Sequence, residues 1–367
     1  MLTGIVLFVA GVFLMIMAHE LGHFIAARRF GIKVEEFFVG FGPRLWSFRR
    51  GQTEYGLKTV PLGGYVRIAG MNPFQEPPPE DRDRVFTAKP KWQRAVVLVA
   101  GSFTHFVLAF LLLASLFALI GIPRARIAEV EPTLDGSPSP AAAAGLRPGD
   151  EVLAVDGDDV NYDEFLDRID AGGRMEILFA RGGRELTVTA TPVPSEIEGQ
   201  REPRIGVLIA SGSRLHEGPI EATGKGIEAM GDMVVGSFRA MGQIFGPDGL
   251  RRIGQLLLGE GERSPNDPVG VVGAARVSGQ AVEAGQLDVF FYLFAFFNVF
   301  VGILNLLPLP PLDGGHLAVL GIEGISGRRM DPRKLVPITA VVAGFLILFT
   351  VSLLYLDVVS PIPNPFQ

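Results

Sequence analysis

Hydrophobic and polar positions are segregated along this chain rather than mixed. Four apolar runs approach or exceed the length that crosses a bilayer: residues 4–30, 95–122, 289–307 and 335–356. A spanning helix needs about 20 such residues. The stretches between them have ordinary soluble composition, so the pattern predicts a polytopic α-helical membrane protein of about four spans. The first run leads without a basic segment or a small-residue cleavage site into further helical sequence, and reads as a retained span rather than a signal peptide.

Between the first two spans, Leu45-Trp46-Ser47-Phe48, Thr53-Glu54-Tyr55-Gly56-Leu57-Lys58 and Tyr65-Val66-Arg67-Ile68 alternate and are separated by glycine and proline. They predict short strands of an antiparallel β-meander over residues 33–70, associated with the membrane. Sheet at that depth is tolerable only where protein or a wet cavity covers it. Residues 71–84, rich in proline and charge, read as a surface loop. After the second span, residues 123–211 alternate turns, strands and one amphipathic helix over 162–169, which Asn161 is placed to cap. Strands are expected at 175–179, 185–190 and 205–209. Residues 212–285 read as an amphipathic membrane-surface helix followed by a loop. The chain thus divides into 1–122, the first half of a membrane core; 123–211, a soluble α+β insert; 212–285; and 286–367, the second half of the core.

Composition changes this picture little. The chain is 367 residues long, 48% hydrophobic and 20% charged, averages that hide the segregation. A net charge of −6 gives no support for nucleic-acid binding. Without cysteine there is no disulfide, no thiolate metal site and no cysteine nucleophile. Charge distribution adds more. Residues 28–94 hold 13 Lys/Arg against 7 Asp/Glu. The loop before the fourth span carries Arg328, Arg329, Arg333 and Lys334, whereas the 123–211 insert is acidic. The positive-inside rule then expects the β-region and the last loop in the cytoplasm, and the insert and both termini outside.

The chemistry lies inside the apolar runs. His19-Glu20-Leu21-Gly22-His23 closes the apolar part of the first span. Four residues apart on a helix, His19 and His23 project from one face and can grip one metal ion. Glu20, one step round, is placed to act as a base on water. Ionisable groups at such depth are costly and mark function. The bland alternative is a shorter span ending near Met17, with the histidines at the interface. A catalytic zinc takes three protein ligands and leaves a position open. Asp313 is the natural third: it follows Pro308-Leu309-Pro310-Pro311-Leu312, which cannot continue a helix, and apolar sequence flanks it on both sides. Asp-Gly-Gly as a simple loop cap leaves that setting unexplained. His105 reads either as a further metal-site group or as a hydrogen-bonded packing residue. His316 reads either as a further ligand or as a supporting and packing residue.

Within the insert, Gly145-Leu146, Gly149-Asp150 and Val155-Asp156-Gly157 resemble a PDZ domain of the kind attached to bacterial proteases. Such domains take peptides by adding a strand to a sheet edge. The alternative is a small domain that only restricts access. Over nearly its whole length the chain resembles the bacterial site-2 proteases, on His19-Glu20-Leu21-Gly22-His23 and on the stretch Asn305 to Gly315 containing Leu312-Asp313-Gly314. The resemblance implies a Zn2+-dependent intramembrane endopeptidase of the inner or plasma membrane, with one zinc per chain. It implies regulated intramembrane proteolysis of single-span proteins, such as anti-sigma factors, already trimmed by an upstream site-1-type protease. It also implies substrate contact by Asn305 and, through an edge strand, by Gly63, Gly64 and Tyr65. One departure stands out. Many relatives carry Gly-Pro-x-x-Asn in the second span, where this chain has Gly101-Ser102-Phe103-Thr104-His105. Two other readings compete: a non-catalytic peptide-binding membrane protein, which has no use for Glu20, and a metal transporter, for which repeated halves are missing.

Overall fold

The computed structural model describes residues 1–72, 78–197, 200–264, 266–328 and 330–366. Part of the expected loop, residues 73–77, and Arg329 lie outside the described residues. The chain begins with helix α1 (Leu2–Arg29), strands β1 (Val34–Arg50) and β2 (Thr53–Ile68), and helix α2 (Lys91–Ser115). An inserted region follows: β3 (Ile122–Val130), β4 (Thr133–Leu134), β5 (Ser137–Pro138), α3 (Pro140–Ala144), β6 (Glu151–Val155), β7 (Asp158–Asp159), α4 (Tyr162–Ala171), β8 (Met175–Arg181), β9 (Arg184–Ala190), β10 (Val193–Ile197), β11 (Gln200–Arg204) and β12 (Val207–Leu215). Six helices complete the chain: α5 (Pro219–Phe245), α6 (Pro247–Leu257), α7 (Val271–Glu283), α8 (Leu287–Leu306), α9 (Asp313–Ser326) and α10 (Val336–Val359). Two compact units result, one of residues 1–113 with 225–367 and one of residues 114–224.

In the first unit, four helices among the described residues are long and apolar enough to cross a membrane: Leu2–Arg29, Lys91–Ile120, Leu287–Leu306 and Val336–Val359. They coincide with the four apolar runs to within a few residues. The sheet differs from the expected meander. Phe37, Phe38 and Val39 of β1 pair with Val66, Tyr65 and Gly64 in descending register, and also with Tyr55, Gly56 and Leu57 in ascending register. The first segment of β1 is therefore central, with the end of β2 on one side and its start on the other; the later part of β1 pairs back onto the start of β2. Val34-Glu35-Glu36-Phe37-Phe38-Val39 does not alternate apolar with polar residues, which is why this central segment does not stand out in the pattern.

Residues 212–285 also differ from the single surface helix and loop. They contain three helices, and α7 is interior. Its buried positions are small: Gly273, Ala275, Ser278, Gly279 and Ala281. Small residues let helix backbones close in, the commonest device where apolar burial alone cannot drive association. Gly4 of α1 meets Gly279 there, and Phe8, Met15, Ala275, Phe290 and Phe294 form a shared apolar cluster of α1, α7 and α8. A buried ion pair ties the loop before α7 to the end of α10. Arg263 Nη2 donates to Asp357 Oδ1 at 2.9 Å, and Asp357 also accepts from the backbone N–H groups of Gly270 and Gly273.

The second unit is α+β, as expected. Its main sheet runs β12-β3-β6-β8-β9, with β7 beside β6. Asn161 caps α4 by accepting from Asp163 and Glu164 N–H, while Glu164 returns a bond to Asn161 N–H. Phe165 and Ile169, four apart on α4, enter a core with Ile127, Val152, Val155, Ile177 and Phe179. The Asp150 side chain is 1% exposed and accepts two bonds at 2.6 Å from Arg181, on β8, plus one from Arg147 N–H. Replacing Arg181 with Met strands that carboxylate. Because Arg181 is 29% exposed, the expected cost is roughly 2–3 kcal/mol, below the range for a fully buried pair. Hydrogen exchange of the full chain should show matching loss of amide protection in β6 and β8; unchanged protection would refute the assignment.

Candidate metal centre

Helix α1 places His19 and His23 on one face, and the crossing of α1 with α2 brings them against a matching face of α2. Glycine makes the approach possible on both helices. A Cβ on Gly22 would stand 2.4 Å from Ala100 O, and one on Gly101 would stand 2.2 Å from His23 Nε2. Asp313 arrives from a different direction. The chain leaves α8 at Leu306, reverses through residues 307–312, and opens α9 with Asp313 as its first residue.

The result is a compact triangle. His19 Nε2 and His23 Nε2 lie 3.1 Å apart, and each lies 3.3 Å from Asp313 Oδ2. Three donors about 2.0–2.1 Å from a tetrahedral zinc stand about 3.3 Å from one another, so the triangle has the size of that ion's ligand set. The chemistry of the donors agrees. His23 Nδ1 is 2.7 Å from Val97 O, an acceptor only, so Nδ1 carries the proton and a neutral ring turns the Nε2 lone pair toward the triangle. Two imidazole nitrogens and a carboxylate oxygen this close to one another could hold a metal ion between them.

Of the residues singled out from the sequence, the structure brings together His19, His23 and Asp313, with Glu20 beside them. Glu20 Oε2 accepts the Val66 N–H of β2 at 2.9 Å. Gly63, Gly64 and Tyr65 precede that contact on the same strand. A Cβ on Gly64 would meet Met17 of α1 at 2.9 Å, so the strand lies close along α1 next to the motif. Tyr65 donates its phenol to Glu36 and stacks on Phe38, and Lys58 Nζ sits 4.8 Å over its ring. Burial, then the bond to Glu36, pushes the phenol above its ordinary pKa. Asn305 lies on the last turn of α8, ahead of the chain reversal. His316 is exposed on the first turn of α9 and is outside the triangle. His105 is 1% exposed, and its Nε2 is 3.1 Å from His19 Nδ1. It is thus a neighbour of the donor set rather than a member. One signal for this was present in the sequence: Val97, Gly101 and His105 recur every four residues and so share one face of α2.

Residues 7–350 match the profile of peptidase family M50. The chain belongs to that family, the site-2 proteases. Zinc metalloprotease Rip1 of Mycobacterium tuberculosis is 34% identical over an alignment of 404 positions that covers 98% of each chain. A putative zinc metalloprotease of Clostridium perfringens is 32% identical, covering 95% of this chain and 96% of that one. Another, from Agrobacterium fabrum, is 33% identical over 89% and 88%. Among solved structures, the PDZ domain of an SdrC-like protein from Listeria monocytogenes is 22% identical, covering 24% of this chain and 88% of that chain, with a TM-score of 0.20. This M50 chain is a metalloendopeptidase with zinc as its cofactor, and its four long apolar helices suit a multi-pass membrane protein.

Proposed function

We propose that this chain is an intramembrane endopeptidase that cuts single-span membrane proteins within their apolar segment. The observation that carries the reading is the donor triangle of His19, His23 and Asp313 with Glu20 next to it, on helices long and apolar enough to span a bilayer. In this reading the two imidazoles and the carboxylate hold the ion, and Glu20 is the general base. Zinc, when bound, acidifies a coordinated water and polarises the scissile carbonyl. Glu20 takes the proton released on attack and passes it to the leaving amine. The ring protons of the ligand histidines stay on the far side, so the Nε2 atoms remain available as donors throughout.

Substrate handling follows from the sheet. The end of β2 pairs on one side only among the described residues, and its Val66 N–H already points at Glu20. A substrate segment unwound and added along Gly63, Gly64 and Tyr65 would run past the base, with Asn305 available to its backbone. Regulated proteolysis after a first cut by a site-1-type enzyme, and a filtering role for a PDZ-like insert, fit this scheme. So does a site toward the cytoplasmic side, given Arg28, Arg29 and Lys33 after the first span.

The test is reconstitution with zinc in lipid vesicles and a single-span substrate, with cut positions read by mass spectrometry. Cleavage inside the apolar segment is expected. A helical substrate shields its own carbonyls, so placing Gly or Pro in that segment should raise the rate several-fold. Cuts confined to exposed flanks, or indifference to helix breakers, would defeat the proposal.

A further inference from the structure

His105 meets His19 across the α1–α2 crossing, and the contact extends further. The Asn298 amide of α8 lies beside the His105 ring. Both residues are essentially fully buried. His105 Nδ1 and Asn298 Oδ1 are both buried without a hydrogen-bond partner, while Asn298 Nδ2 donates to Phe294 O at 2.9 Å. Gly302, one turn along α8 from Asn298, packs directly on the His105 Cβ, which fixes where the ring can sit.

One arrangement of protons would let the two unpartnered atoms answer each other. Phe294 O accepts from the Asn298 NH2, so Asn298 Oδ1 faces His105 as an acceptor. His105 Nδ1 must then carry a proton and donate it. A neutral His105 with its proton on Nδ1 has a bare Nε2, which accepts from His19 Nδ1–H. His19 is left with its Nε2 lone pair facing Asp313. The direction of the whole chain is set at a backbone carbonyl three residues away from the donor triangle.

We infer that His105, oriented by Asn298, is a positioning residue that fixes the tautomer and ring angle of His19 for metal binding. Its counterpart for His23 is Val97 O. The two contacts flank Gly101 at four-residue intervals, so α2 acts as a rail: a carbonyl for one histidine, a gap for both rings, and a side-chain acceptor for the other. The His105 side chain is long enough to meet α1 on one side and α8 on the other. This inference rests on the zinc-site reading above.

The experiment measures zinc affinity of the full-length protein in detergent by competition with a chromophoric chelator. The unaltered chain should bind one zinc and Asp313→Ala should not; failure of that pair would refute the zinc site itself rather than the role of His105. Given that control, His105→Leu should weaken zinc binding about 10–100-fold, the usual effect of losing such a support. His105→Gln keeps a buried acceptor near His19 and should recover affinity to within a few-fold. Asn298→Ala leaves the His105 proton unmatched and should weaken zinc several-fold; it also serves if His105→Leu does not fold. Zinc affinity within two-fold of the unaltered chain in His105→Leu, or in Asn298→Ala where the first cannot be made, would overturn the inference. So would a Gln variant as weak as Leu, which would mean that packing alone matters.

Discussion

A Glu20→Gln chain is expected to keep its zinc and lose its peptidase activity. Glutamine has the shape of glutamate, and its amide oxygen can still accept the Val66 N–H, so the contact between α1 and the edge of the sheet survives. None of the three donor atoms of the triangle belongs to residue 20. What the amide cannot do is take up a proton at neutral pH. Loss of a positioned general base costs about 10²–10⁴-fold, so turnover should fall to the floor of a vesicle assay. Zinc content by mass spectrometry should stay near one per chain. Equal cleavage by both proteins would remove Glu20 from the reaction. A variant that also lost its metal would make Glu20 a ligand and displace one of the three donors.

The parts of this design that repeat along the chain could be read from it, and the parts that meet across helices could not. The spacing of His19 and His23 is a local property of one helix, and so is the capping pair of Asn161 and Glu164. Asp313 was legible for a less direct reason: a carboxylate after a run of prolines, amid apolar sequence, has no cheaper explanation than a function. The central strand of the sheet was hidden because Val34-Glu35-Glu36-Phe37-Phe38-Val39 does not alternate apolar with polar residues. Strand β3 was hidden by continuity, since Ile122 follows the apolar end of the second span after a single glycine. Helix α7 was hidden because its packing face is built of Gly, Ala and Ser, which carry almost no hydropathy signal. The contact between His105 and His19 spans 86 positions and joins two helices. No spacing rule reports it; the sequence offered only the shared face of Val97, Gly101 and His105.

That shared face carries the second large expected effect. Gly101→Ala is conservative by volume and should nevertheless empty the metal site. The new methyl would stand 2.2 Å from His23 Nε2, 2.6 Å from His23 Cε1 and 2.8 Å from His19 Cε1. Elsewhere the ends of side chains give way cheaply. Here they cannot swing aside together without losing function. His23 is held through Nδ1 by Val97 O, His19 through Nδ1 by His105, and both rings must converge on one oxygen of Asp313. Turning either ring breaks a buried hydrogen bond and moves its Nε2 out of the triangle. Separating α1 from α2 instead opens the Gly22–Ala100 crossing. The expected outcome is zinc stoichiometry well below one and no cleavage, with helix content by circular dichroism unchanged, because alanine is a better helix former than glycine. Normal zinc loading of Gly101→Ala would show that the two histidines tolerate a wider crossing, and the rail on α2 would lose its central element.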